Sequence, residues 1–432
     1  MDQFQSDKVI QTSLGIPIKI IRYLVGGGQG DVYEVEFNGA RKALKWYRSP
    51  ETMKDPKLFF DNLKRNVSKG SPDKTFLWPI TVTETIDNSF GYVMDLIPDT
   101  YHELSEFMLR KASFTSFKAS VEACIRIVSA FRLLHNSGRC YQDMNDGNFF
   151  IEPKSGKVLI CDNDNVADNN TKTFIMGTPR YMAPEIVMGT AEPNTQTYRF
   201  SLSVVLFMIL CMNHPLEGRH WLVPCLTPDM EKRLYGSSAL FLYDKDNADN
   251  RPVKGIHSNV IKRWNYIPNY IQDAFLRAFS KKAIREPGHR LRETDWLKVL
   301  VRFQSDIVRC QLCGNEVFIT NASSTPCDKC AKSINIKNTL KVSGYSVTAA
   351  KGTRIYRIQL GSCDADKALM PIGQVVVNSK DPKRLGFRNA TNQIMIGVSP
   401  SGKRNQIKPN GIVPLKAGIK LEVYAVDRKS VV

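Results

Sequence analysis

Residues 138–166 read GRCYQDMNDGNFFIEPKSGKVLICDNDNV, and this stretch decides the fold. Two clusters of acids and amides, around Asp143–Asn148 and Asp162–Asn165, flank a turn signal, Pro-Lys-Ser-Gly, and the apolar run Val158-Leu159-Ile160. Pro and Gly at that point predict a hairpin-like reversal, and the apolar run predicts a buried strand. Asp143 and Asn148 stand five apart, and Asp162 follows directly after the strand. Carboxylate and amide oxygens brought together in this way suit a hard cation, which prefers oxygen ligands. The competing reading is a solvated polar loop.

Working outward, LVGGGQGDVYEVEF at 24–37 puts glycines between two alternating runs. Glycines there let the backbone fold tightly over a phosphate and present N–H groups to it. The following ARKALKWY places Lys45 on a strand, from which its charge can reach such a loop. The plain alternatives are a glycine hairpin of steric origin and a solvated lysine. GTPRYMAPEI at 177–186 completes an ordered series of motifs.

The rest of the chain sets bounds. Its 432 residues predict two or three domains. The apolar content of 42% and charged content of 24% are those of a globular protein. No basic-then-apolar leader opens the sequence, and the longest apolar stretch, from Leu202, is too short to span a bilayer. Six scattered cysteines and one cluster predict a reducing compartment, hence a cytoplasmic protein with one metal site. Strand-like runs over 17–47 precede helical periodicity over 114–136, 196–212 and 268–303, an order that predicts two lobes with a cleft between them.

The ordered motifs resemble those of the eukaryotic-like protein kinases over roughly residues 17–303. The resemblance implies an α+β bilobal fold, with an N-lobe over 1–97 and a C-lobe over 98–303. It implies an ATP- and Mg²⁺-dependent enzyme that phosphorylates Ser and Thr of itself and of protein substrates. Gly27, Gly28, Gly30 and Val32 would cover the nucleotide, and Lys45 would pair its phosphates. Met94 would guard the adenine pocket, with Asp95 to Ile97 as hinge. Asp143 would accept the substrate hydroxyl proton, and Asn148 and Asp162 would hold Mg²⁺. Glu185 would pair with Arg290, and Thr178 matches the Ser/Thr-specific position. The acidic partner of Lys45 is sought on the following helix, as Asp61 or Glu51.

Several positions depart from the family pattern. Tyr141-Gln142 replace the usual His-Arg, which predicts activity independent of phosphorylation at Thr171 or Thr173. Asn145 stands where a lysine is usual. Asp162-Asn163-Asp164 replaces Asp-Phe-Gly, Val25 the first loop glycine, and Tyr198 an aspartate. The wording of KGSPDKTFLWPI, YQDMNDGNFF, CDNDNVA and NHPLEG is similar to a bacterial kinase subgroup. Those kinases accompany a von Willebrand-type protein and a metal-dependent protein phosphatase in tellurite-resistance-associated gene sets. Membership would make the departures normal for an active enzyme. The alternative is a pseudokinase scaffold that binds ATP and recruits phosphoproteins or nucleic acid.

Beyond residue 303 the composition changes. Cys310-x2-Cys313 and Cys327-x2-Cys330, separated by thirteen residues, have the spacing of a four-thiolate structural zinc ribbon over 304–337, with disulfides or an iron–sulfur centre as the alternatives. Residues 338–432 read as a basic all-β domain, with 16 Lys and Arg against 5 Asp and Glu over 341–432. Its ending, PLKAGIKLEV, is similar to forkhead-associated domains, although their Ser-x-x-His signature is missing. That likeness implies an acidic or phosphorylated partner, with Arg384, Arg388, Lys403 and Arg404 as a candidate anion patch. The bland reading is a solvated basic face.

Overall fold

The computed structural model describes residues 4–28, 30–48, 55–169, 177–319, 324–335, 338–361, 363–381, 383–425 and 428–431. They form two compact units. The first comprises Met1–Thr115, Leu133–Ile261 and Leu276–Arg290; the second comprises Ser116–Arg132, Lys262–Phe275 and Leu291–Val432.

The first unit opens with an antiparallel sheet of six strands: β1 (Val9–Gln11), β2 (Pro17–Gly26), β3 (Gly30–Phe37), β4 (Ala40–Tyr47), β5 (Thr81–Val82) and β6 (Gly91–Met94), in the order β1-β2-β3-β4-β6-β5. Alternation along β2 and β3 sends Ile18, Ile20, Tyr33 and Val35 into a core with Leu44 and Trp46. Each such apolar side chain contributes about 1.5–3 kcal/mol when fully buried. Helix α1 (Pro56–Lys69) follows β4 in the chain. Asp55 caps it by accepting the Leu58 amide at 2.9 Å, and Pro56 fills the first turn, where a missing N–H costs nothing.

In the same unit the predicted reversal is present. Strand Phe149–Ile151 pairs antiparallel with Val158–Ile160, and Arg139–Tyr141 pairs with Val166–Asp168. These two ladders hold the ends of the opening stretch in place. Helix Thr195–Cys211 starts at an Asn194/Thr197 capping box and stops at Met212, which is left-handed at φ 53°. Most of its length is buried. The helical periodicity over 268–303 is present and runs through parts of both units. It resolves into Asn269–Ala278, Lys281–Arg285 and Glu293–Asp306, with Ser280 capping the second and Pro287-Gly288 breaking the chain before the third.

Among its described residues the second unit contains three short hairpins, Ile307–Arg309 with Glu316–Phe318, Ser324–Pro326 with Ser333–Asn335, and Thr339–Val342 with Tyr345–Thr348. It also has two four-stranded sheets. One runs Arg354–Tyr356, Pro371–Val377, Leu385–Asn389, Ile412–Pro414; the other runs Arg404–Ile407, Met395–Val398, Lys420–Ala425, Arg428–Val431. Val347, Ile355, Val375, Phe387, Met395 and Leu421 belong to one buried cluster in this region. Asp306 accepts Tyr270 Oη at 2.7 Å and Thr348 Oγ1 at 2.9 Å, and so ties helix Glu293–Asp306 to the hairpin carrying Thr348.

Candidate active site

Strand β4 carries Lys45 into the interior of the first unit. Its Nζ lies 3.1 Å from Asp162 and 3.0 Å from Asp164. Burial works against the ammonium, but the two carboxylates outweigh it and push the Lys45 pKa well above its ordinary value. Asp164 is withdrawn from water and also accepts the hydroxyls of Tyr47 and Tyr92. Burial first, then Asp164, drives both tyrosine pKa values up, so these phenols stay neutral donors.

The helix expected to supply the carboxylate does not. Asp61 is exposed, and Glu51 lies outside the described residues. On the buried side of α1 stand Asn62 and Asn66, one turn apart, each donating its amide to the Val166 carbonyl at 2.8 Å. The helix thus fastens to the strand after the Asp162–Asn165 cluster by these amides and by the Lys69–Asp168 ion pair at 2.7 Å. The charge it would have supplied comes instead from Asp164, 119 residues beyond Lys45.

Asp143 follows strand Arg139–Tyr141. Its Oδ1 accepts the Thr178 amide at 3.2 Å and the Thr178 hydroxyl at 3.3 Å. Burial raises its pKa, with the hydrogen bonds from Asn145 and Thr178 opposing that shift. Asn148, almost fully buried, donates Nδ2 to the Asp143 carbonyl at 2.8 Å, which leaves its Oδ1 as an acceptor. Asp162 sits at φ 51°, a left-handed conformation uncommon for a side chain with a Cβ, and its carboxylate is one-third exposed. Asn163 locks the turn by donating to Leu77 and Ile160 carbonyls, each at 2.8 Å. Tyr141, at the usual histidine position, donates to the Cys161 carbonyl at 2.6 Å and so braces the strand leading to Asp162.

Between β2 and β3 the glycine loop closes with the Gly27 amide on the Gly30 carbonyl at 2.8 Å. At Gly30 a Cβ would fall 2.1 Å from the Trp46 carbonyl oxygen, so only glycine fits there. Gly27 and Gly28 are exposed and unobstructed. Val32 pairs with Lys45 across β3 and β4, and Met94 pairs with Ala43 across β4 and β6. Asp95 forms an ion pair with Lys42 at the surface, and Ile97 is half-buried.

Two further pairs are built into this unit. Arg290 forms a bidentate ion pair with Glu185, both contacts at 2.7 Å, as the resemblance implies. A network that the motifs left without a role joins Arg180 to Glu217 at 2.6 and 3.0 Å, Tyr235 to Glu217 at 2.7 Å, and His214 to the Arg180 carbonyl at 2.8 Å. Burial holds the His214 pKa down at about 4, so that imidazole is neutral at physiological pH. Tyr198 is buried beside His135, with ring centroids 6.0 Å apart.

In the second unit the four clustered cysteines converge, with all four sulfurs within 4.8 Å of one another. The Cys310–Cys330 and Cys313–Cys327 sulfurs are 3.7 and 3.5 Å apart. Tetrahedral zinc with thiolates at about 2.3 Å demands sulfur spacings near 3.8 Å, so the cage fits that ion. The two knuckles repeat one geometry. Gly314 and Ala331 are both left-handed, at φ 70° and 58°, and their amides return to the Cys310 and Cys327 carbonyls at 2.9 and 2.8 Å. Amides of Cys313 and Leu312 pull the Cys310 thiol below its ordinary pKa.

The arginines of the candidate anion patch have partners of their own. Arg404 is held by Glu422, Arg388 by Gln374 and Arg384 by Asp381, leaving Lys403 exposed on a turn.

Residues 80–231 match the family model described as a protein kinase domain. Protein kinase C-like 1 of Candida albicans is 31% identical over 114 residues, covering 26% of this chain and 10% of that protein. Protein kinase C delta type of Rattus norvegicus is 25% identical over 198 residues, covering 44% and 29%. Serine/threonine-protein kinase sgk-1 of Caenorhabditis elegans is 26% identical over 238 residues, covering 48% and 50%. The chain spans half or less of the length of these relatives, all of them eukaryotic kinases. It carries a protein kinase domain of mixed α and β structure, and among the described residues no helix is long and apolar enough to cross a membrane.

Proposed function

We propose that this chain is an ATP- and magnesium-dependent protein kinase acting on serine and threonine of itself and of partner proteins. The observation that carries this reading is the convergence of Lys45, Asp162 and Asp164 within 3.1 Å, in the unit that also holds Asp143 and Asn148.

The donor set fits a hard cation: a part-exposed carboxylate at Asp162 and the free Oδ1 of Asn148. Bound there, magnesium supplies charge neutralisation for the transferring phosphoryl group. Lys45 presents a fixed ammonium to the nucleotide phosphates, and Gly27, Gly28 and Gly30 allow the backbone to close over them. Met94 and the segment to Ile97 line the base. Asp143 orients the substrate hydroxyl and takes its proton, and Thr178 holds that carboxylate in position. Catalysis of this kind rests on positioning and electrostatics. Asp164 takes over the anchoring of Lys45, and buried Tyr198 packs as core. Both departures therefore support an active enzyme over a pseudokinase scaffold.

Further parts of the reading concern context. The four thiolates of Cys310, Cys313, Cys327 and Cys330 would hold a structural zinc with no open coordination position. The 304–337 ribbon and the 338–432 β domain would be accessory modules beside a kinase of 1–303. Cytoplasmic placement rests on the cysteine distribution, and the bacterial tellurite-resistance subgroup and partnership with a von Willebrand-type protein and a phosphatase rest on motif wording. Incubation with γ-labelled ATP and Mg²⁺ tests the activity. Label on Ser or Thr in the wild type, absent from D143N and D162A, supports it; nucleotide binding without transfer in any of the three supports the scaffold.

A further inference from the structure

The second unit contains a cavity of about 850 Å³ that the kinase reading does not use. Five cations line it: Lys118, Arg309, Lys332, Lys351 and Arg354. They are not a local charge run. Lys118 comes from helix Phe117–Asn136, Arg309 from the first hairpin, Lys332 from the second, and the last two from the start of the sheet region. Among the described residues none of the five forms an ion pair. Gathering like charges in one concavity costs stability unless an anion completes it. Lys118 registers that cost: burial holds its pKa below the ordinary lysine value, and Arg309 and Arg354 add to the effect against Glu316.

Two carboxylates share the wall, and both are already engaged. Glu122 pairs with Arg126 at 2.7 Å and accepts Gln304 at 2.6 Å. Glu316 stands opposite Arg309 in the hairpin register but turns its Oε2 to the amides of Phe117 and Lys118, at 2.5 and 3.3 Å. Its Oε1 is buried without a hydrogen-bond partner. The cavity thus offers an excess of positive charge and the part-buried side chains of Ile334 and Tyr356 as an apolar wall.

We propose that this cavity binds a single phosphoserine or phosphothreonine side chain presented on a protein segment. One phosphoryl dianion offsets most of the excess charge, and two arginines can grip it through bidentate hydrogen bonds. The fixed carboxylates work against a continuous polyanion. The supply of such phosphorylated segments rests on the kinase reading, whereas the binding site stands without it.

The test is fluorescence anisotropy of the full chain, without ATP, using labelled peptides with random flanks and one central phosphoserine or phosphothreonine. The same peptides unphosphorylated, and a single-stranded oligonucleotide, are measured in parallel. Because no phosphoryl transfer is involved, an inactive kinase leaves the result untouched. Phosphopeptides are expected to bind at least about 10-fold tighter than their unphosphorylated forms, in line with one charge-assisted contact set. K351E and R354E should each lose about 10-fold; Lys351 is an exposed loop residue, and unchanged zinc content and melting temperature confirm that the variants fold. Equal binding of phosphorylated and plain peptides overturns the proposal. So does unchanged affinity in both variants, or tighter, steeply salt-dependent binding of the oligonucleotide.

Discussion

Lys45 and Asp164 lie 3.0 Å apart, the carboxylate at 0% and the lysine at 8% side-chain exposure. Lys45 is thereby anchored from the Asp162–Asn165 turn and not from helix α1, whose described contacts to the strand after that turn come from the amides of Asn62 and Asn66 and from Lys69, with no carboxylate among them. Removing one partner of a buried pair leaves the other charge uncompensated, at a cost of about 3–5 kcal/mol. D164A should therefore lower the melting temperature as well as phosphoryl transfer. Asp162 alone then faces Lys45, and calorimetry of the variant measures the loss.

Arg290 and Glu185 form the second buried pair, with the guanidinium side chain at 1% exposure. R290A strands Glu185 and breaks bonds to the Ala283 and Ile284 carbonyls. A destabilisation of about 3–5 kcal/mol is expected, read as a shift in the urea midpoint with an unchanged slope.

The pH dependence follows from Asp143. Its pKa is raised above 3.8, chiefly by burial, and only the ionised form accepts a proton. Protonation below that pKa abolishes the base, so kcat/KM should rise with pH through an acid limb displaced upward from the ordinary aspartate range. An acid limb at or below 3.8 in the free enzyme would contradict this.

Much of this site is legible in the sequence, because the residues around Asp143, Asn148 and Asp162 are held by short-range hairpins whose turn signals are local. Cys310–Cys330 is legible for the same reason: paired thiols on two knuckles need little long-range information. The partner of Lys45 is not. Choosing between Asp61 and Asp164 requires knowing which one the tertiary packing buries, and the two lie 16 and 119 residues from Lys45 in the chain. Asn62 and Asn66 carry the helical spacing that could have flagged a polar buried face on α1, but asparagines there read equally as surface. The periodic stretch over 268–303 is helical as read, but its division at Ser280 and Pro287-Gly288 is not legible, because the apolar spacing continues across the breaks.

Tyr141 and Gln142 place no guanidinium before Asp143 to receive a loop phosphate. The T171A/T173A double variant, at positions outside the described residues, should keep the wild-type rate of phosphorylation of an added substrate. A loss of activity restored by acidic residues at the same positions would show loop phosphorylation to matter.

The zinc cage predicts one zinc per chain by elemental analysis, lost in C327A. Chelation should destabilise the second unit without altering the Lys45–Asp164 pair. Binding free energy at such sites is folding free energy, so the unfolding transition should rise with free zinc concentration and drop on chelation.

The anchoring of Lys45 by Asp164 is tested most directly by comparing D164N, which keeps the side-chain shape, with D61N in the same phosphoryl-transfer assay. D61N should match the wild type, because Asp61 is exposed. D164N should lose about 100-fold in kcat/KM, equivalent to about 2.7 kcal/mol of transition-state stabilisation. Full activity in D164N together with a comparable loss in D61N would place the partner of Lys45 on helix α1 and contradict the arrangement described.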